Sequence, residues 1–215
     1  MFSTSSGLYV LFFDGGSRGN PGPGGSGSVL VRVEPTTHSA QIIWVASMAY
    51  ANKRTTNNWA EYMGLVHGLR RAAISNATPL HVVGDSAMII SQLRQRKPPK
   101  KPHLAWLYKE ARSLADDLEV SSWTHHYRAH NKMADLAANI AMNSGTSSQT
   151  AAPSGRPIFT ELDAHLDNDM SHWIEAPAPT GGLDTFTSSA RSKDHAITAH
   201  QRQRRVQALG GRMHV

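Results

Sequence analysis

Apolar positions along the first 143 residues follow two different periods, and the switch between them sets out a series of strands and helices. Leu8–Phe13 (LYVLFF) is a continuous β-rich apolar run that stops at Asp14, the pattern of a strand buried on both faces. Gly15 to Gly25 follows with six glycines and two prolines, which reads as a turn-rich connection. Ser26–Val33 and Gln41–Met48 are two further strands, joined as a hairpin through Pro35-Thr36-Thr37. From Thr55 to Asn76 the spacing becomes helical. Ala60, Met63, Leu65, Val66, Leu69, Ala72 and Ala73 make the buried face, and Thr56 is placed to cap the start. Leu80–Val83 is a strand ending at Gly84-Asp85, and a helix runs from Ser86 to about Gln95, where Lys97-Pro98-Pro99-Lys100-Lys101-Pro102 halts it. Leu104–Leu118 predicts a helix, Val120–Tyr127 a fifth strand and Asn131–Met142 a closing helix. The order β-β-β-α-β-α-α-β-α implies an α/β domain, a mixed five-stranded sheet flanked by helices.

Periodicity fades at Ser144. Ser144–Gly155 and Pro177–Ser192 are rich in Ser, Thr, Ala and Gly, compositions typical of linkers. Scattered apolar residues at Phe159–Leu166 and Trp173–Ile174 are compatible with a short docking helix, but the flanks favour a low-complexity, disordered tail. The expected division is therefore a domain at 7–143 and a tail at 144–215 with a basic end. Arg202, Arg204, Arg205 and Arg212 in that end read as a solvated tail, with a nucleic-acid arm as the alternative.

Charge sharpens the division. Residues 1–143 carry 15 Lys/Arg against 9 Asp/Glu, residues 144–190 one against six, and residues 191–215 six against one. A net +6 with pI near 9.8 makes a polyanionic partner plausible. The lack of cysteine excludes a disulfide framework and thiolate chemistry and fits a reducing compartment. No apolar run reaches the roughly 18 residues a membrane span needs, and the N-terminus has neither a secretory nor a transit pattern. An intracellular protein without membrane partner is expected, in cytoplasm or nucleus.

Four acids stand where structure alone would not ask for them. Asp14 and Asp85 each end an apolar strand, Glu61 lies inside a helix beside Ala60 and Met63, and Asp135 opens the last helix among Met133, Ala134, Leu136 and Ala137. Singly each has an ordinary explanation as a turn, cap or dipole-compensating residue. Converging, they would repel unless a cation neutralised them. All-oxygen ligands suit magnesium or manganese, and four carboxylates can hold two such ions about 4 Å apart for in-line phosphodiester displacement.

At this point the chain resembles a known family. Asp14-Gly15-Gly16-Ser17-Arg18-Gly19-Asn20-Pro21-Gly22-Pro23-Gly24-Gly25 is similar to the first-strand signature of type 1 ribonuclease H. Thr56-Asn57-Asn58-Trp59-Ala60-Glu61, Gly84-Asp85-Ser86 and His130-Asn131-Lys132-Met133-Ala134-Asp135-Leu136-Ala137 resemble the three later blocks, in family order. The resemblance implies a ribonuclease H-like fold, and an endoribonuclease that cuts the RNA strand of RNA–DNA hybrids with two Mg2+ ions (Mn2+ as a substitute), leaving 5′-phosphate and 3′-hydroxyl ends. It implies that Asp14 bridges both ions, that Glu61 and Asp85 complete one, and that Asp135 holds the other. His130 would assist proton transfer or product release, although it stands closer to the final aspartate than in the better-known relatives. Asn57 and Asn58 would lie along the minor groove, where amides read 2′-hydroxyls, with Asn20 and Thr56 near the backbone.

Departures from the pattern also carry expectations. Ala87 stands where many relatives have a glutamine that contacts RNA. The segment Arg96–His103 is too short for the long basic handle of other members, leaving a compact cluster of Arg94, Arg96, Lys97, Lys100 and Lys101 without an aromatic. Hybrid binding should be weaker and salt-sensitive. Trp44, Trp106 and Trp123 are expected in the core, and of His125 and His126 one should face in and one out. The competing readings are a catalytically silent hybrid-binding module and another ribonuclease H-like nuclease of integrase or resolvase type. A monomer is expected, as a stand-alone enzyme or as a retroelement segment following a reverse transcriptase.

Overall fold

A computed structural model describes residues 7–37, 39–152 and 157–175, so the C-terminal arginines lie outside the described residues. Its elements are β1 (Leu8–Ser17), β2 (Gly24–Val33), β3 (Ala40–Tyr50), α1 (Asn57–Ile74), β4 (Leu80–Gly84), α2 (Ala87–Gln95), α3 (Pro102–Asp117), β5 (Ser122–His125), a 3-10 turn (Arg128–His130), α4 (Lys132–Ser144), β6 (Ser148–Ala151) and α5 (Pro157–Glu175). The sheet order is β5-β4-β1-β2-β3-β6. β1, β2, β3 and β6 are mutually antiparallel neighbours, whereas β4 and β5 join β1 in parallel.

β1 is the central strand, which is why its sequence is apolar throughout: Val10, Leu11, Phe12 and Phe13 are all fully buried. Alternation divides them between faces. Val10 and Phe12 join the core formed with Met133, Ala134 and Ala137 of α4, while Leu11 abuts Gly68 of α1. β1 is longer than its apolar run suggests. Its pairing with β2 continues through Asp14↔Gly27 to Ser17↔Gly24, while its parallel pairing with β4 stops at Phe13↔Gly84. Asp14 and Asp85 therefore follow a paired couple at the carboxyl ends of adjacent parallel strands, where open α/β sheets place ligands.

Two glycines permit close helix–sheet approach. A methyl group at Gly15 would overlap backbone atoms of Ala60 and Glu61, and one at Gly27 would overlap the carbonyl of Ala134. α1 begins as its sequence predicts, with the Thr56 hydroxyl accepting from the Trp59 N–H at 3.3 Å.

The expected five-stranded sheet has a sixth strand, and residues 148–151 and 157–175, expected in a low-complexity tail, form a strand and a helix. β6 pairs with β3 from Ser47↔Ser148 to Trp44↔Ala151, covering an edge whose backbone groups would otherwise be unpaired. α5 buries Phe159, Leu162, Leu166 and Met170 against the α4 side of the core. Each such side chain contributes about 1.5–3 kcal/mol on burial, enough to order a helix whose opposite face carries Glu161, Asp163 and Asp167. The rest of the expected tail, 153–156 and 176–215, lies outside the described residues. No described helix is long and apolar enough to cross a membrane.

Candidate active site

Carboxylate oxygens of Asp14, Glu61 and Asp85 lie within 4.8 Å of one another. They come from β1, the second turn of α1 and the loop after β4, brought together by the β1–β4 register and by the close approach at Gly15. The cleft they share, about 320 Å³, is also lined by Ser17, Arg18, Asn57, Arg128 and Asn139.

Asp14 is only 6% exposed, and its Oδ1 accepts the Gly15 N–H at 2.6 Å. Burial, then the charge of Asp85, pushes its carboxyl well above the usual range, with Asp135 and Glu61 adding to the effect. Burial also raises Glu61, partly countered by the Ser86 hydroxyl, which donates to Glu61 Oε2 at 2.8 Å. Asp85 is raised by burial and pulled back chiefly by Arg128. One buried and two half-buried oxygen-only groups that resist ionising together form a donor set suited to a hard divalent cation.

Asp135 departs from the expected four-carboxylate cage. Arg128 donates to its Oδ1 through Nε at 3.1 Å and through a second guanidinium nitrogen. Asp135 is close enough to raise both Asp14 and Asp85, but a guanidinium takes its carboxylate and it does not join the converging three.

His130 is not among the residues that line the cleft; its ring stacks on His172 of α5, centroids 4.0 Å apart and 11° from parallel. The cationic residue that this segment presents to the acids is Arg128, which no motif reading singled out. The expectation for the neighbouring pair holds, with His125 exposed and His126 buried.

Asn57 Oδ1 accepts from the Ser17 N–H at 2.9 Å and from the Ser17 hydroxyl at 3.0 Å, while Asn20 Oδ1 accepts the Asn57 N–H at 3.0 Å. Asn57 thus lines the cleft with Asn20 bonded behind it, and Thr56 keeps its capping bond. Asn58 sits one position on, its amide beside the Met88 sulfur at 4.0 Å. Arg94, Arg96, Lys97, Lys100 and Lys101 are all exposed at the far end of α2 and in the following loop. Arg96 pairs with Asp116 at 2.8 Å, which leaves the lysines as the looser charges. Trp44 and Trp123 are core residues as expected, but Trp106, one turn into α3, is 50% exposed. Its neighbours Leu104 and Leu107 take the buried face, so α3 turns the indole outward.

Comparison with known proteins follows the same outline. The profile of the reverse transcriptase-like family matches residues 12–141. The bifunctional protein Rv2228c of Mycobacterium tuberculosis is 39% identical over 202 residues, 94% of this chain and 50% of that protein. The chain thus spans about half the length of this relative. The N-terminal RNase H domain of that protein, solved as a fusion with maltose-binding protein, superposes with a TM-score of 0.57 over 63% of this chain and 98% of the other. Ribonuclease HI of Halobacterium salinarum is 36% identical over 132 residues, 61% of this chain and 63% of that one. LC11-RNase H1, solved in complex with an RNA/DNA hybrid, is 25% identical with a TM-score of 0.53, covering 64% of this chain and 98% of the other.

Proposed function

The chain belongs to the reverse transcriptase-like family of the ribonuclease H-like superfamily, and on that premise we propose that it hydrolyses the RNA strand of RNA–DNA hybrids with two divalent cations, magnesium by preference. The observation that carries this reading is the convergence of Asp14, Glu61 and Asp85 at adjacent strand ends, with Asp14 buried.

Asp14, Glu61 and Asp85 would hold one cation and Asp14 with Asp135 the other, Arg128 yielding its hold on Asp135. Such ions, when bound, neutralise the scissile phosphate and lower the pKa of the attacking water, so that no protein nucleophile is needed and the ends are 5′-phosphate and 3′-hydroxyl. The Ser86 hydroxyl keeps Glu61 aimed at its neighbours. Ser17 fixes the Asn57 carbonyl oxygen and leaves its amide N–H groups for the 2′-hydroxyl side of a minor groove. Lys97, Lys100 and Lys101 supply salt-dependent phosphate contacts.

The test is a cleavage assay on strand-labelled hybrid with Mg2+, Mn2+ or EDTA. Nicking of the RNA strand with either ion and none with EDTA is expected. Binding without cleavage would favour a silent hybrid-binding module, and equal cutting of double-stranded DNA would favour a different nuclease.

A further inference from the structure

Helix α4 carries Asp135, yet its own cap does not complete its first turn. Asn131, at the N-cap position, makes no capping bond with its side chain. Its Nδ2 donates instead to the Phe13 carbonyl at 3.0 Å. The orphan N–H of Met133 is met from outside the sheet, by Asp169 of α5, whose Oδ2 accepts it at 2.8 Å. Asp169 is fully buried. A carboxylate removed from water costs several kcal/mol unless its bonds repay it, and α5 already has four buried apolar side chains to dock it. A negative charge on the N-terminus of α4 is the favourable placement.

The neighbouring residue completes the arrangement. Asn168 Nδ2 donates to Asp169 Oδ1 at 2.9 Å and to the Ala129 carbonyl at 2.9 Å. Ala129 follows Arg128, and Met133 precedes Asp135 by two positions. Adjacent residues of α5 thus grip both segments that carry the Arg128–Asp135 ion pair, and the His172–His130 stack adds a third point of contact.

We propose that α5 is a positioning element of the acidic site, in which Asp169 and Asn168 hold the start of α4 and the 3-10 turn so that Asp135 is in place for metal binding. This rests on the reading of the site as a metal-dependent nuclease centre. Neither residue touches the cleft; both act through the backbone of α4 and of the 3-10 turn.

The experiment compares full-length wild type with Asp169→Leu, which removes both acceptor oxygens at similar volume, Asp169→Asn, which retains one for the Met133 N–H, and Leu162→Ala, which weakens α5 packing two turns away. Four quantities are read: Mg2+ affinity by calorimetry, hydrogen exchange of the Met133 amide, melting temperature, and kcat and KM on hybrid. Asp169→Leu should weaken Mg2+ binding and lower kcat by about tenfold or more, as loss of a supporting partner of metal ligands does, with KM little changed and Met133 exchange accelerated. Asp169→Asn should recover most of both, and Leu162→Ala should lower the melting temperature while keeping Mg2+ affinity and kcat. If Asp169→Leu fails to fold, Asn168→Ala is read in the same way. Wild-type Mg2+ affinity in Asp169→Leu, or equal losses in Leu162→Ala, would overturn the proposal. An inactive wild type would instead sink the nuclease reading, while the calorimetric and exchange data still judge the role of α5.

Discussion

Asn131 and Phe13 stand 118 positions apart, yet the side-chain amide of one donates to the backbone carbonyl of the other at 3.0 Å inside the protein. Phe13 immediately precedes Asp14, and Asn131 begins the helix of Asp135. One buried hydrogen bond therefore ties the strand of the first acid to the helix of the last. Asn131 Oδ1 is itself buried with no described partner, so the side chain is held for its donor alone.

Asn131→Ala should leave the Phe13 carbonyl unsatisfied and cost about 1–3 kcal/mol in urea unfolding. It should also lower hybrid cleavage more than its effect on stability explains. Unchanged stability would mean that water replaces the amide at no cost.

Asp14, Glu61 and Asp85 all titrate above their ordinary values. The metal-free folded protein therefore binds protons more tightly than the unfolded chain. Their contribution to stability is full below the ordinary carboxylate range, about 4, and is lost as pH rises through the raised values. In EDTA, thermal melting at pH 7 should show Asp14→Asn more stable than wild type, with the gap closing toward pH 4 and also on adding Mg2+ to wild type. The same variant should lose cleavage beyond the roughly hundredfold that a supporting group costs. A less stable Asp14→Asn at pH 7 in EDTA would contradict the electrostatic account.

Gly15→Ala places a methyl group on the backbone of Ala60 and Glu61, which cannot move aside as a side-chain tip can. Destabilisation at or above the upper end of the usual 1–3 kcal/mol overpacking cost is expected. Because the shift parts β1 from α1, Mg2+ affinity measured by calorimetry should fall with it. A variant with wild-type metal affinity would show that Asp14 and Glu61 need not be so close.

Replacing Lys97, Lys100 and Lys101 by alanine should weaken hybrid binding and reduce the slope of log affinity against log salt by about 2 to 3. Arg96→Ala should do much less, because Arg96 is already paired with Asp116. Equal effects from the two variants would show that the ion pair opens on binding. Filter binding across a salt series distinguishes these outcomes.

Most of the fold was legible because its signals are local. A six-residue apolar run, a 3.6-residue period and a proline-rich stop name elements without reference to neighbours, and acids ending apolar strands mark a site. β6 was not legible. Ser148-Gln149-Thr150-Ala151 has no strand pattern and is a strand because β3 offers it an open edge. α5 did carry a helical spacing, Phe159, Leu162, Leu166 and Met170, but its linker-like flanks obscured the signal. Trp106 went astray for a related reason: composition says what a side chain is and leaves open which way its element turns.

By itself, then, the sequence determined the order of the elements from β1 to α4 and marked Asp14, Glu61, Asp85 and Asp135 as the candidate acids. Only the tertiary structure decided that Arg128 takes Asp135, that His130 faces His172, and that α5 completes the first turn of α4. Periodicity and capping depend on residues a few positions apart, whereas these pairings depend on distances set by the packing of segments far apart in the chain.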